Sequence, residues 1–190
     1  MEENVTVKRK GKFVSGLFDW VEELVLAVVV VVIIFSFIFR VVTVNGNSML
    51  PNYDPGDRLI VTDFHQNVVQ GDVVVIVDAL DNPIIKRVIA TEGQTVDIDN
   101  ESGEVYVDGK LLDNTIYGVE NGITRTDYNA VIDTLEFPVT VDEGCVFVLG
   151  DNRIVSEDSR YASIGMVDER KILGKAVLRI FPYNNVGPTK

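Results

Sequence analysis

One cysteine and one histidine are all that this 190-residue chain holds of those two residue types, and the scarcity narrows its chemistry. A lone Cys145 excludes an intramolecular disulfide, which a domain of this size does without when its core is adequate. A thiol nucleophile normally keeps a histidine beside it. His65 lies far from Cys145 in sequence, in a polar stretch, so Cys145 reads as a buried core residue and His65 as an exposed loop residue. No group of His, Cys and carboxylates has metal-ligand spacing, so no metal is expected, and no other cofactor is implied. Basic residues are also sparse beyond the first forty positions. Residues 1–40 carry five basic and five acidic side chains, whereas residues 41–190 carry 12 basic and 24 acidic, a net of −12. Without a basic patch to offset phosphate repulsion, nucleic acid is excluded as a partner; the charge favours solubility instead. Internal repeats and low-complexity tracts are absent.

What the chain does have is a long apolar run. Residues 1–16 are polar and basic, with Lys8, Arg9, Lys10 and Lys12 close together. From Leu24 to Phe39 the only polar residue is Ser36. With Leu17–Val21 in front, a helix over residues 17–40 spans roughly 30 Å of hydrocarbon. Trp20 suits an interface, and Arg40 snorkels at the far end. Glu22 and Glu23 sit near the start of that segment, where the helix dipole favours acids. The basic excess before the run puts residues 1–16 in the cytoplasm and residues 41–190 outside. A cleaved secretory leader is the alternative, but the run is long for one and no small-x-small site follows closely. A buried core helix fits poorly, because the run is apolar on every face.

Beyond the anchor, short Val-, Ile- and Thr-rich runs alternate with Gly, Asp, Asn and Pro, which predicts a mostly β domain. Strands are expected near residues 41–44, 58–62, 73–77, 84–90, 95–98, 104–107, 145–149 and 171–181. Asp108-Gly109 between two apolar runs signals a two-residue hairpin. Residues 113–138 are polar and irregular and read as an insertion or small subdomain. After Arg40 the only helical hint is a turn around residues 163–170. Residues 184–190 read as a frayed tail.

Three stretches carry the candidate chemistry. Asn45-Gly46-Asn47-Ser48-Met49-Leu50-Pro51 presents one serine on a small, flexible turn. Ile84-Ile85-Lys86-Arg87-Val88-Ile89 places one lysine among apolar residues. A serine needs a base to remove its proton, and a lysine serves only if burial destabilises its ammonium form. In a strand Lys86 shares a face with Ile84 and Val88, while Arg87 points the other way; Lys86 is therefore expected to be buried and Arg87 to reach water. Alone, such a lysine more often snorkels at a sheet edge. The third stretch, Gly150 through Arg160, leaves the end of a strand, where scaffolds display functional groups. Gly150, Asp151 and Asn152 favour a tight turn, and Asp158 has Arg153 or Arg160 as a partner.

With these residues the chain resembles the bacterial type I signal peptidases, membrane-bound serine–lysine proteases that remove leader peptides from exported proteins. Ser48-Met49-Leu50-Pro51, Gly71-Asp72-Val73-Val74, Lys86-Arg87-Val88-Ile89-Ala90 and Gly150–Arg160 match the family's motifs in order, the last being long and specific. A lysine instead of a histidine at the second catalytic motif matches the bacterial form and not that of the endoplasmic reticulum. The resemblance implies a signal-peptidase-like β-domain of coiled antiparallel sheets behind one transmembrane helix, with the active site near the membrane. It implies Ser48 as nucleophile and neutral Lys86 as general base. Ser156 would orient the lysine, Asp158 and Arg160 would form a supporting ion pair with Asp151 and Asn152 also in support, and Met49 would sit beside the substrate. The Ser48 N–H would be one oxyanion donor; some members add a serine hydroxyl where this chain has Gly46. Asn52 stands where threonine is frequent, and Thr91-Glu92 where Leu-Pro is more usual. Implied partners are preproteins with small side chains at the first and third positions before the cut, and the lipid bilayer. Two rivals differ: a self-cleaving repressor-type serine–lysine protein, which would need a DNA-binding domain, and a membrane-tethered β-domain that binds partners without catalysis.

Overall fold

The amino-terminal apolar run folds as a helix, α1 (Glu3–Ile38). The structure, a computed structural model, describes residues 3–62, 68–80, 82–127 and 133–189 and, of the helical side chains, those of residues 18–33, 35 and 38. The expected exposed role of His65 therefore lies outside the described residues, as does part of the irregular stretch 113–138. The helix begins earlier than the expected 17–40 segment and stops before Arg40, which is already extended in the first strand. Among the described residues no helix is long and apolar enough to cross a membrane. The chain divides into two units, one ending at Phe39 and the other running from Arg40 onward.

The second unit is built from β1 (Phe39–Thr43), whose first residue closes the helical unit, β2 (Arg58–Thr62), β3 (Val73–Ile76), β4 (Ile84–Thr91), β5 (Thr95–Asp99), β6 (Glu104–Val107), β7 (Lys110–Leu111), β8 (Val139–Thr140), β9 (Cys145–Leu149), β10 (Val167–Asp168), β11 (Ile172–Phe181) and β12 (Gly187–Pro188). One sheet runs β1-β2-β11-β3-β4-β9-β10, with β12 added to β11; the other runs β7-β6-β5-β8. The pairings of β2 through β12 are antiparallel. β-Branched residues dominate the interior strands because they fit a pleated surface packed on both sides.

β4 is the hub. Its partners β3 and β9 bury both its edges, and a register shift between Val88 and Ala90 makes a bulge that re-aims the residues beyond it. Before the bulge, strand alternation sends Ile85 into a cluster with Met49, Leu59, Val61 and Val73, and Val88 into one with Val74, Ile76, Val146 and Val148. Past the bulge, Ile89 and Ala90 pack with Val96, Val105, Phe147 and Leu149 and so join the two sheets. One strand thus feeds three apolar clusters, and its middle is closed to water.

Elsewhere the expectations meet the structure with local differences. Asp108 and Gly109 both take positive φ, 52° and 72°, as a type I′ hairpin turn requires. Cys145 is partly buried at the start of β9. The expected stretch 163–170 has a turn at each end: at residues 162–164 the Gly165 N–H donates to Tyr161 O at 2.8 Å, and at Glu169–Lys171 the Asp168 side chain caps a second turn by accepting from the Arg170 N–H. The expected frayed tail is instead pinned. Gly187 and Pro188 pair with Arg179 and Leu178, and the Thr189 hydroxyl donates to the Ala176 carbonyl at 2.7 Å. Unpaired backbone on β11 supplies the partner that short-range sequence patterns do not reveal.

Candidate active site

Between β1 and β2 the chain makes the turn that carries Ser48. Gly46 has φ +80°, with open space where a Cβ would stand, so the residue is glycine for backbone reasons. Leu50 N–H donates to Asn47 O at 3.3 Å, and Tyr53 N–H to Met49 O at 3.0 Å, which closes the turn. Arg179 on β11 braces it from below, donating to Asn52 O at 3.0 Å and to Asp57 Oδ2 at 2.8 Å. Ser48 is left half-buried, and its N–H donates no hydrogen bond among the described residues.

Lys86 meets this turn from the middle of β4. It pairs in register with Val74 and is 3% exposed. Its Nζ lies 3.0 Å from Ser48 Oγ, although 38 residues separate the two in sequence. Burial is the main influence on the amine and pulls its pKa below the usual lysine range; Asp158 and Glu157 oppose this, and Arg160 assists it. A neutral amine touching a hydroxyl is an arrangement in which the O–H donates to nitrogen and the oxygen gains nucleophilicity.

Arg87 corrects one expectation. It does point away from Lys86, but it is fully buried and does not reach water. The reason is Asp151. Arg87 Nε and Nη2 donate to its two carboxylate oxygens at 2.8 and 2.7 Å, and Nη1 donates to Gly71 O at 2.8 Å. The Tyr117 ring lies over the guanidinium at 4.8 Å. Forked pairing of this kind satisfies a planar cation in a dry site. Gly71 is needed here, since a Cβ would come within 2.8 Å of the Tyr117 ring.

The loop from Gly150 to Arg160 follows β9 and holds the serine turn in place. Asn152 N–H donates to Ser48 O at 2.9 Å, and its side-chain Nδ2 donates to Asn47 O at 3.2 Å. Asp158 and Arg160 form the expected ion pair at 2.8 Å, both fully buried, and Asp158 also accepts from the Gly150 N–H at 3.0 Å. Arg153 does not share that acid. It donates to Gly150 O, Thr124 Oγ1 and Asn114 Oδ1 at 3.0, 2.6 and 2.7 Å. Gly150 is a close-approach glycine: an added Cβ would lie 2.1 Å from Ser156 Oγ and 2.5 Å from Ser48 O. Ser156 is buried beside Lys86's acidic neighbours, but its hydroxyl donates to Glu157 O at 3.5 Å, and no hydrogen bond joins it to Lys86 among the described residues. Met49, expected beside substrate, is 1% exposed and belongs to the core; it underlies Ser48 and presents no surface.

Sequence reasoning missed a strap. Residues 113–127, the first part of the stretch 113–138 read as an irregular insertion, tie directly to these loops. Asn114 and Thr124 hold Arg153, Arg125 O accepts from Arg160 at 2.6 Å, and Tyr117 O accepts from Asn52 Nδ2 at 2.7 Å. The same Asn52 amide donates to Asp151 Oδ2 at 2.7 Å. Asn114 and Thr124 are seen to be buried only in the folded chain, and nothing in their local sequence pattern names an arginine 29 to 39 residues away. Among the described residues no group of His, Cys, Asp and Glu is placed to hold a metal ion.

Comparison with known proteins shows the family to which the chain is similar. Residues 17–181 match the family model for signal peptidase, peptidase S26. A signal peptidase I from Bacillus licheniformis is 35% identical, covering 92% of this chain and 94% of the relative. Signal peptidase I T from Bacillus subtilis is 30% identical over 100% of this chain and 98% of its own length. A crystal structure of a signal peptidase I from Enterococcus faecalis aligns with 58% of this chain and 97% of its own at 26% identity, with a TM-score of 0.44.

Proposed function

Because the chain belongs to the signal peptidase family, peptidase S26, and is a serine peptidase acting on signal peptides, we propose that Ser48 is its nucleophile and neutral Lys86 its general base. The observation that carries the reading is the 3.0 Å contact between a buried amine and a hydroxyl from a distant turn. The reaction follows from that contact. Lys86 takes the hydroxyl proton as Ser48 Oγ attacks the carbonyl carbon of the scissile bond. The Ser48 N–H, uncommitted in the resting site, donates to the oxygen that becomes negative, an interaction worth about 3–4 kcal/mol in comparable enzymes. Lys86 then gives the proton to the departing amine, and water, activated by the same base, hydrolyses the acyl-enzyme. The Asp158–Arg160 pair and the Arg87–Asp151 pair fix the loops around the dyad. Ser156, whose Oγ crowds the same face of Gly150 as the Ser48 carbonyl, is the hydroxyl proposed to orient the lysine.

We infer further that α1 anchors the enzyme in the plasma membrane as a single span, with residues 1–16 in the cytoplasm and residues 41–190 outside. The described apolar side chains from Leu24 to Ile33 and Phe35 are all exposed, and Ile34 and Phe37 extend the run in sequence. The basic cluster Lys8–Lys12 supports the orientation. An enzyme held there meets membrane-held leader peptides at raised effective concentration. The deciding assay is cleavage, in detergent, of a preprotein carrying a small-x-small site. Wild-type protein should cut after the second small residue, and Ser48→Ala should lose activity by several orders of magnitude. Undiminished cutting by Ser48→Ala would rule out this nucleophile.

A further inference from the structure

A cleft of about 600 Å³ is lined by Asp78, Ala79, Leu80, Asn82, Ile84 and Glu157. Ile84 lies two residues before Lys86 on the same face of β4, roughly 6.6 Å along the strand. Glu157 is close enough for its charge to act on Lys86. The cleft therefore borders the base, not the far side of the nucleophile. That placement has a chemical meaning, because the base must return its proton to the nitrogen of the departing chain. The part of the substrate that follows the cut must consequently leave past Lys86.

Size points the same way. A pocket that selects small side chains has to be shallow, and this cleft falls in the range of sites that hold whole ligands, roughly 300–1,000 Å³. It is roomy enough for large side chains on the leaving side. Its charge is less neutral. Asp78 is exposed and Glu157 half-exposed. Glu157 accepts from Ser163 Oγ at 2.7 Å, Lys171 reaches only the Asp78 backbone carbonyl, and neither carboxylate has an ion-pair partner among the described residues.

We propose that this cleft receives the residues just after the scissile bond, and that Asp78 and Glu157 favour a basic side chain there. The assignment rests on the peptidase reading above and adds a preference on the leaving side. Two preproteins differing only in Lys or Glu at the second and third positions after the cut provide the test, with full-length protein in detergent. Wild-type kcat/KM should favour the lysine substrate by roughly three- to tenfold, mostly through KM, with the ratio shrinking as salt rises. Asp78→Asn, which suits the left-handed backbone at φ 58°, should lower the ratio by about half or more, and Asn82→Lys should reverse it. Equal, salt-independent cutting of both substrates by wild type, or the same ratio in all three proteins, overturns the cleft assignment alone. Failure of wild type to cut either substrate would instead sink the peptidase reading, and the cleft assignment with it.

Discussion

Lys86 stands at the point where stability and chemistry conflict. Burial lowers its pKa from the ordinary 10.5, so the free base grows as pH rises through the lowered value. Cleavage should therefore climb with pH from the mildly acidic side, and a pH–rate profile that stays flat would exclude the lysine as base. Lys86→Ala should lose activity by several orders of magnitude in the same assay. The sign for folding follows from proton binding. Between the lowered folded value and the unfolded value the unfolded chain holds the extra proton, so stability rises with pH across that window and is reduced below it. Lys86→Met removes the buried amine with little change in volume. It should abolish cleavage yet raise stability at neutral pH by about 1 kcal/mol, a few degrees in Tm. Thermal unfolding of the two proteins side by side measures this, and a lower Tm for Lys86→Met would show that the amine is held without cost.

At the scale of elements, the loop after β9 matters more than its length suggests. Gly150→Ala forces a methyl against Ser156 Oγ and Ser48 O. Overpacking of this kind costs about 1–3 kcal/mol, and here it also displaces the nucleophile, so cleavage should fall at least tenfold even where the protein remains folded. Asp151→Ala should cost about 3–5 kcal/mol in denaturant unfolding, because it strands the Arg87 guanidinium in a dry site. The strands around these loops were largely legible in sequence: β2, β6 and β9 begin and end at the expected residues, since their apolar, β-branched-rich runs are bounded by Asp or Gly. Ser48, Lys86 and the Asp158–Arg160 pair were legible through motifs. Arg87 was not, because alternation gives the face a side chain takes but not what waits on that face. Gly150 read as a turn former, whereas its lack of a side chain serves packing between distant loops. Met49 was legible only as part of a motif, which does not say how deeply its side chain is buried under Ser48.

Over the whole molecule, charge is arranged in two zones, a balanced first forty residues and an acidic remainder. If the first zone sets orientation, replacing Lys8, Arg9, Lys10 and Lys12 with Asp should leave a fraction of chains inverted or uninserted. Protease added outside spheroplasts should then fail to reach residues 41–190 in that fraction, whereas those residues are accessible in wild type; equal accessibility would remove the basic cluster from the argument. The strap has a different consequence. Its ties to Asn52, Arg153 and Arg160 mean that order at the dyad depends on a ribbon that need supply no reacting atom. Its exposed bend at Glu120 is open to attack by other proteases. A single nick there would leave every reacting atom present and silence the enzyme, so intact mass and turnover would part company in an ageing preparation.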